Sequence, residues 1–232
     1  MDGNGRWAQR QGLMRIEGHR VGVHVVKDII RCCLARDIPV LSLFAFSCEN
    51  WARPSHEVEF LMSLFLQALE KEIDALHQQG VRLKFIGDRL KFSQELRAQM
   101  QVSEDLTQHN DRLVLNMAMN YSGQWDIIQA ARCLAVEVEQ GLLKVHQIDE
   151  QNFNARLATH DLPAPDLLIR TSGEQRLSNF FLWQLSFTEL YFTEVLWPDF
   201  NETEFQKALD FYTLRERRYG KTSDQLKELN HV

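Results

Sequence analysis

A few short stretches of this chain concentrate the residue types that handle anions. MDGNGRWAQRQG, residues 1–12, sets Asp2 beside Gly3 and Gly5. Glycines let the backbone take positive φ and come close to a ligand. Successive N–H groups in such a turn form a nest for an anion, most often a phosphate. Asp2 would repel a bare phosphate there unless a divalent cation lay between them. The stretch reads as a Mg²⁺–diphosphate cradle, although G-x-G among polar residues also makes an ordinary surface turn. RTSGEQRLS, 170–178, puts Arg170 and Arg176 around a Ser-Gly turn with Ser178 just beyond. Guanidinium forks match phosphate oxygens and a hydroxyl adds a donor; salt bridges to Glu174 would account for the same arginines. SCENWARP, 47–54, gathers Ser47, Cys48, Glu49, Asn50, Trp51 and Arg53. Its tryptophan packs either on a ligand or on the protein's own core. Arg15 and His19, four apart on one helix face, flank the anion nest or are simply solvated. Glu189 has no motif of its own.

The elements that must position these residues follow from periodicity. Apolar residues at helical spacing (Val21, Val25, Val26, Ile29, Ile30, Leu34) predict a helix from about Ile16 to Arg36. VLSLFAF, Val40 to Phe46, is a short buried strand. Pro54 and Ser55 start a long helix with Ser55 as N-cap, Glu57 and Glu59 in its first turn and Gly80 after its end. VRLKFIG is a strand and a polar helix follows to about Gln108; LVLNMAM, Leu113 to Met119, is another strand, before a helix from about Gln124 to Gln140. A shorter helix near Asp149 to Thr159, strands at Asp166 to Arg170 and Glu189 to Phe192, and a helix from Glu202 to Tyr219 complete the order. Strands separated by helices imply an α/β fold: a single domain, 1–232, with a mostly parallel central sheet flanked by helices. In such sheets ligands bind beyond the carboxyl ends of the strands. That rule selects SCENWARP, NYSGQWD after Met119, and RTSGEQRLS.

Bulk properties exclude several classes. Net charge −6 argues against a nucleic-acid surface. Between Met1 and Arg20, however, four arginines and one histidine face two acids, which suits a small anionic ligand. No apolar run approaches the roughly 20 residues of a membrane span, and no signal peptide is recognisable, so a soluble, cytoplasmic chain is expected. Cys32, Cys33, Cys48 and Cys133 form no C-x-x-C pair and are expected reduced and buried. There is no zinc spacing, no Walker-type phosphate loop and no Asp-Asp pair.

Taken together, MDGNGRWA, the Arg15–His19 pair, FAFSCENWARP, NYSGQWDI, LIRTSGEQRLSNFFLWQ and ELYFTEVLWPDF, in this order from residue 1 to about 220, resemble the cis-prenyltransferase family. The likeness is greatest to its bacterial members that make undecaprenyl diphosphate. The resemblance implies a Mg²⁺-dependent transferase joining isopentenyl diphosphate units to farnesyl diphosphate with cis geometry. The long product would be the membrane-associated precursor of a cell-wall lipid carrier. On this reading Asp2 holds Mg²⁺ on the allylic diphosphate while the backbone of Gly3, Asn4, Gly5 and Arg6 grips its phosphates. Trp7, Arg15 and His19 complete that pocket. Arg170, Arg176, Leu177 and Ser178 bind isopentenyl diphosphate, and Glu189 helps to coordinate the metal. Ser47, Cys48, Glu49, Asn50, Trp51 and Arg53 lie between, where the new bond forms. The family assigns proton acceptance to the Asn50 position; a neutral amide is a poor base, so Asn50 reads as orienting a water or phosphate oxygen. An apolar tunnel for the growing chain would be walled by the helix from Ser55 and the strand Leu113 to Met119, residues that core packing would also explain. The family works as homodimers, and RERRYG, 215–220, would contribute to the interface.

Two departures stand out. The family has an apolar strand before M-D-G-N-G, whereas this sequence starts at Met1, and Gln175 stands where close relatives often carry histidine, which weakens any claim that this position supplies a metal ligand. A non-catalytic subunit of this fold would lose the nest, the metal acid or the second arginine. A phosphohydrolase would need a nucleophile or base that the motifs lack.

Overall fold

The computed structural model describes residues 1–218 and residue 222. A short helix, α1 (Asn4–Arg10), precedes the long α2 (Arg15–Leu34). There follow β1 (Val40–Ser47), a 3₁₀ turn (Cys48–Ala52), α3 (Ser55–Gln78), β2 (Val81–Ile86), α4 (Gln94–Thr107) and β3 (Leu113–Tyr121). The chain continues through α5 (Gly123–Glu139), α6 (Glu150–Asn154), β4 (Leu167–Arg170), β5 (Glu189–Phe192) and α7 (Glu202–Thr213).

All strand pairings among the described residues are parallel, as expected for crossovers through helices. They form two sheets, β1-β3-β2 and β4-β5. Val40 lies opposite Val114 and Val81 opposite Leu113, so the apolar strands share one register. The main core packs Val25, Ile29 and Ile30 of α2 and Leu61 and Ile73 of α3 with sheet residues such as Leu83 and Leu115. A second cluster joins Ile86, Ala118 and Tyr121 to Phe180, Phe181 and Leu185. At the carboxyl end of β3 the register slips: Met119 lies opposite Phe46 but Tyr121 opposite Ser47, leaving Asn120 as an extra, bulged residue.

Several boundaries differ from expectation. Pro54 occupies the N-cap of α3 and Ser55 is its first helical residue, making no side-chain cap. Helix α6 stops at Asn154 rather than near Thr159. Helix α7 ends at Thr213, with Arg215–Arg218 irregular; Tyr219 and Gly220 of the RERRYG segment lie outside the described residues. The four cysteines are unbridged as expected, but Cys48 is only half-buried and Cys133 is exposed. Among the described residues no helix is long and apolar enough to cross a membrane.

A cavity of about 1410 Å³ runs the length of β1 and β4, from Asp37–Val40 and Pro163–Leu167 at their amino ends to Ser47 and Arg170 at their carboxyl ends. Its apolar wall includes Val26 and Ile29 of α2 and Leu61, Leu64, Phe65 and Ala68 of α3. This explains why Leu64, Phe65 and Ala68 are only partly buried. From β3 only Met117 reaches it. Consecutive residues Val40–Ala45 and Asp166–Arg170 line it too. Because side chains alternate along a strand, an unbroken run means that β1 and β4 present their backbone edges to the cavity.

Candidate active site

Asp2 is fixed at both its backbone and its carboxylate. Its N–H donates to Thr171 Oγ1 at 2.9 Å, and its carbonyl accepts from Thr171 Oγ1 (2.8 Å) and the Trp197 N–H (2.9 Å). The carboxylate accepts from Arg170 at 3.0 Å and from the Gly3 N–H at 2.8 Å, with Arg6 3.7 Å away. Burial opposes ionisation of this half-buried group, yet the Arg170 and Gly3 hydrogen bonds hold its carboxyl below the usual range. Gly3 has φ 101°, and a Cβ there would fall 2.8 Å from Leu196 Cδ2, so this position requires glycine. Asn4, Gly5 and Arg6 begin α1, where N–H groups have no intrahelical acceptor. The expected nest is present only in part: Gly3 is left-handed, but Gly5 takes no positive φ and lies in the first turn of α1.

Close packing sets the position of that turn. A Cβ on Gly18 of α2 would lie 1.9 Å from the Asn4 carbonyl oxygen, and one on Gly22 2.5 Å from Asn4 Oδ1. The Gly5 backbone lies against the Arg15 guanidinium, 2.7 Å from where a Cβ would stand. Arg15, His19 and Arg53 converge on the buried carboxylate of Glu57, at 3.6, 3.8 and 3.1 Å. A buried carboxylate needs such partners, and Glu57 thereby groups three donors along the cavity wall. Burial, reinforced by the Arg53 charge and opposed by Glu57, lowers the His19 pKa to about 4. Its Nε2 is buried without a hydrogen-bond partner, 3.8 Å from the Glu57 carboxylate.

Arg170 joins the two expected anion pockets. Besides Asp2 it donates to Ser178 Oγ at 2.8 Å and to the Arg176 carbonyl. Asp2 and the Arg176–Ser178 segment therefore face the same cavity, together with Leu177. The Arg176 side chain is exposed and pairs with Glu174, which also pairs with Arg6 at 3.0 Å. Non-glycine residues Ser172, Ser178, Asn179 and Phe181 have positive φ, a density of strained backbone typical of functional loops.

From the Ser47–Arg53 turn, Ser47, Asn50 and Arg53 line the cavity. Asn50 Oδ1 accepts the Ser47 N–H at 3.0 Å. Cys48, Glu49 and Trp51 are not part of the wall; Glu49 accepts from Asn179 at 2.7 Å and Trp51 Nε1 donates to Asn120 Oδ1 at 2.8 Å. Trp7 likewise turns away, donating to Asp199 at 2.7 Å. Glu189 pairs with Arg215 at 3.8 Å and does not share the wall with Asp2. The NYSGQWD loop, expected to face the ligand, contributes nothing to the wall. Its Asn120, Tyr121 and Asp126 are buried in contacts that hold neighbouring loops.

No group of three or more His, Cys, Asp or Glu that could hold a metal occurs among the described residues. Mg²⁺ is bound by one or two carboxylates plus phosphates and waters rather than by an all-protein cage. A single ionised Asp2 beside the N–H groups of α1 fits that donor set. Sequence reasoning read Glu57 only as a first-turn helix acid; the Arg53–Glu57 spacing of four was the signal for its real role.

A parallel α/β scaffold that gathers an acid, backbone N–H groups and arginines at the head of an apolar cavity belongs with proteins that hold a diphosphate bearing a hydrocarbon chain. Comparison with known proteins narrows this class. A family model described as "Putative undecaprenyl diphosphate synthase" matches residues 1–220, and the chain belongs to that prenyltransferase family. It is 58% identical over 223 residues to a ditrans,polycis-undecaprenyl-diphosphate synthase ((2E,6E)-farnesyl-diphosphate specific) of Legionella pneumophila (strain Paris), covering 96% of this chain and 94% of the relative. A Coxiella burnetii enzyme of the same name is 53% identical, covering 98% and 96%. The crystal structure of lavandulyl diphosphate synthase from Lavandula x intermedia, in complex with dimethylallyl diphosphate, superposes with TM-score 0.92 at 40% identity, covering 95% of each chain.

Proposed function

We propose that this chain, as one domain over residues 1–232, condenses isopentenyl diphosphate units onto farnesyl diphosphate with cis geometry to give undecaprenyl diphosphate. The observation that carries the reading is Arg170, which bonds the Asp2 carboxylate and Ser178 at the head of one apolar cavity. The relatives named for farnesyl diphosphate, at 58% and 53% identity, favour this primer over the shorter one bound by the plant enzyme.

On this reading the first-turn N–H groups of α1, Arg6, Arg15 and His19 bind the allylic diphosphate. Arg170, Arg176 and Ser178 bind the second diphosphate. Mg²⁺, held by Asp2 with phosphate oxygens and water, would stabilise charge on the departing diphosphate. The arginines add fixed positive charge where negative charge develops, and the two pockets orient the partners face to face. Asn50, already held by the Ser47 N–H, orients the water or phosphate oxygen that takes the proton. The leucines and phenylalanine of α3 receive the growing chain. Trp7 and the Cys48–Trp51 residues outside the wall act from behind it. Glu189 reaches a metal only through some arrangement other than the Arg215 pair described above. The protein acts in the cytoplasm as a homodimer whose product partitions into the membrane.

Incubation with farnesyl diphosphate, labelled isopentenyl diphosphate and Mg²⁺, followed by product sizing, tests this. Long labelled chains that disappear with a chelator are expected. Release of phosphate without chain growth would refute it.

A further inference from the structure

Asn120 lies outside the cavity wall, yet it is only 1% exposed and its groups tie two strand exits together. Its Oδ1 accepts the Trp51 indole N–H at 2.8 Å and its Nδ2 donates to the Asp88 carbonyl at 2.7 Å. Its own carbonyl accepts from the Asp88 N–H (3.1 Å) and from Cys48 Sγ (3.3 Å). We infer that Asn120 is a positioning residue: acting through Trp51, it aims the Ser47–Arg53 turn so that Asn50 and Arg53 face the cavity.

The inference rests on the prenyl transfer proposed for that turn. Three independent features support it. Asn120 is the extra residue of the β3 bulge and is left-handed, with φ 49°, a conformation that asparagine tolerates and that re-aims its side chain. Gly87, at φ +117°, brings the β2 exit against the bulge: a Cβ there would be 2.0 Å from the Met119 carbonyl oxygen. The Trp51 ring packs edge-on to Phe46 (5.1 Å, 76°) and tilted near Phe92 (6.0 Å). Such apolar contacts hold a ring in its slot without fixing its slide along the slot; a directional N–H bond does that. Because Asn50 uses its Oδ1 on the Ser47 N–H, its orientation follows the backbone of this turn.

The test compares Asn120→Gly, which keeps the left-handed backbone, with Trp51→Phe, which removes the N–H but keeps an apolar ring. The chain has five tryptophans, so ¹⁵N-labelled protein gives up to five indole signals. Asn120→Gly should shift the one that Trp51→Phe deletes. A mispositioning of about 1 Å costs on the order of a hundredfold, so kcat should fall roughly ten- to a hundredfold, with KM for farnesyl diphosphate within about threefold. The double variant should be no worse than the poorer single one, within about twofold. A folded Asn120→Gly protein with kcat within about threefold of wild type, an unmoved indole signal, or losses that multiply would overturn the inference. If Asn120→Gly does not fold, Trp51→Phe must show the same kcat loss alone, and unchanged kcat there is equally decisive against it. Wild-type protein that elongates nothing refutes the parent reading instead, and the indole shift still decides the Asn120–Trp51 bond.

Discussion

Replacing Gly18 with alanine should push the anion-binding helix off its seat. The added Cβ would stand 1.9 Å from the Asn4 carbonyl oxygen and 2.6 Å from its carbon. Ordinary contact begins near 3.4 Å, so the first turn of α1 must retreat by about 1.5 Å in a close-packed interior. It cannot retreat as a rigid body, because Asp2 is bonded to Thr171, Arg170 and Trp197. The shift falls on Asn4, Gly5 and Arg6, whose N–H groups would bind the diphosphate. Displacement on that scale should lower kcat/KM for farnesyl diphosphate about a hundredfold. Stability should change less: overpacking costs about 1–3 kcal/mol, while alanine in mid-helix regains up to about 1 kcal/mol over glycine. Gly12→Ala is the control for backbone strain without a clash: no atom lies within 4 Å of a Cβ there, but φ is +70°, so it should lose about 1–2 kcal/mol of stability while keeping turnover. Steady-state kinetics on both variants, with urea unfolding to show that they fold, decides the matter. A folded Gly18→Ala enzyme with kcat/KM within about threefold of wild type would refute the packing argument.

Asp2→Ala should abolish elongation yet leave isopentenyl diphosphate binding, followed by calorimetry, largely intact; unchanged turnover would remove the metal role proposed for Asp2. His19 is neutral in the folded chain down to about pH 4 but protonates near 6.5 when unfolded. Its contribution is therefore complete above pH 6.5 and is lost as pH falls toward 4. A shift of that size corresponds to about 3 kcal/mol. Urea unfolding of His19→Asn should show a correspondingly weaker decline over this window, and parallel curves would contradict the lowered pKa. Tyr121→Phe removes a buried hydroxyl bonded to Asp126 at 2.9 Å. It should cost about 1–3 kcal/mol, read as a Tm several degrees lower at unchanged KM; an unshifted Tm would show that Gln184 and Ala158 satisfy Asp126 unaided.

The order of helices and strands was legible because each carries its period in adjacent residues. Glycine at residue 3, where φ must be positive, was legible for the same local reason; that Gly5 would instead be helical, and that Asn50 would accept the Ser47 N–H, was not. The ends of α6 and α7 were less so: both stop several residues short of the expected limit, where tertiary contacts rather than propensity set the boundary. That NYSGQWD faces inward could not be read from its composition. Its polar groups look like ligand donors in sequence and become loop anchors only once Phe180, Phe181 and Gln184 pack beside it.

The sequence by itself determined the parallel α/β order, the left-handed Gly3 beside Asp2 and the arginine-rich loop after β4, because backbone conformation and charge type are properties of neighbouring residues. Only the tertiary structure decided that Arg170, 168 positions from Asp2, would bond it, that Glu57 would gather Arg15, His19 and Arg53, and that Trp51 would be held from behind by Asn120. Those contacts depend on where packed helices and paired strands bring distant side chains, and no local period encodes such distances.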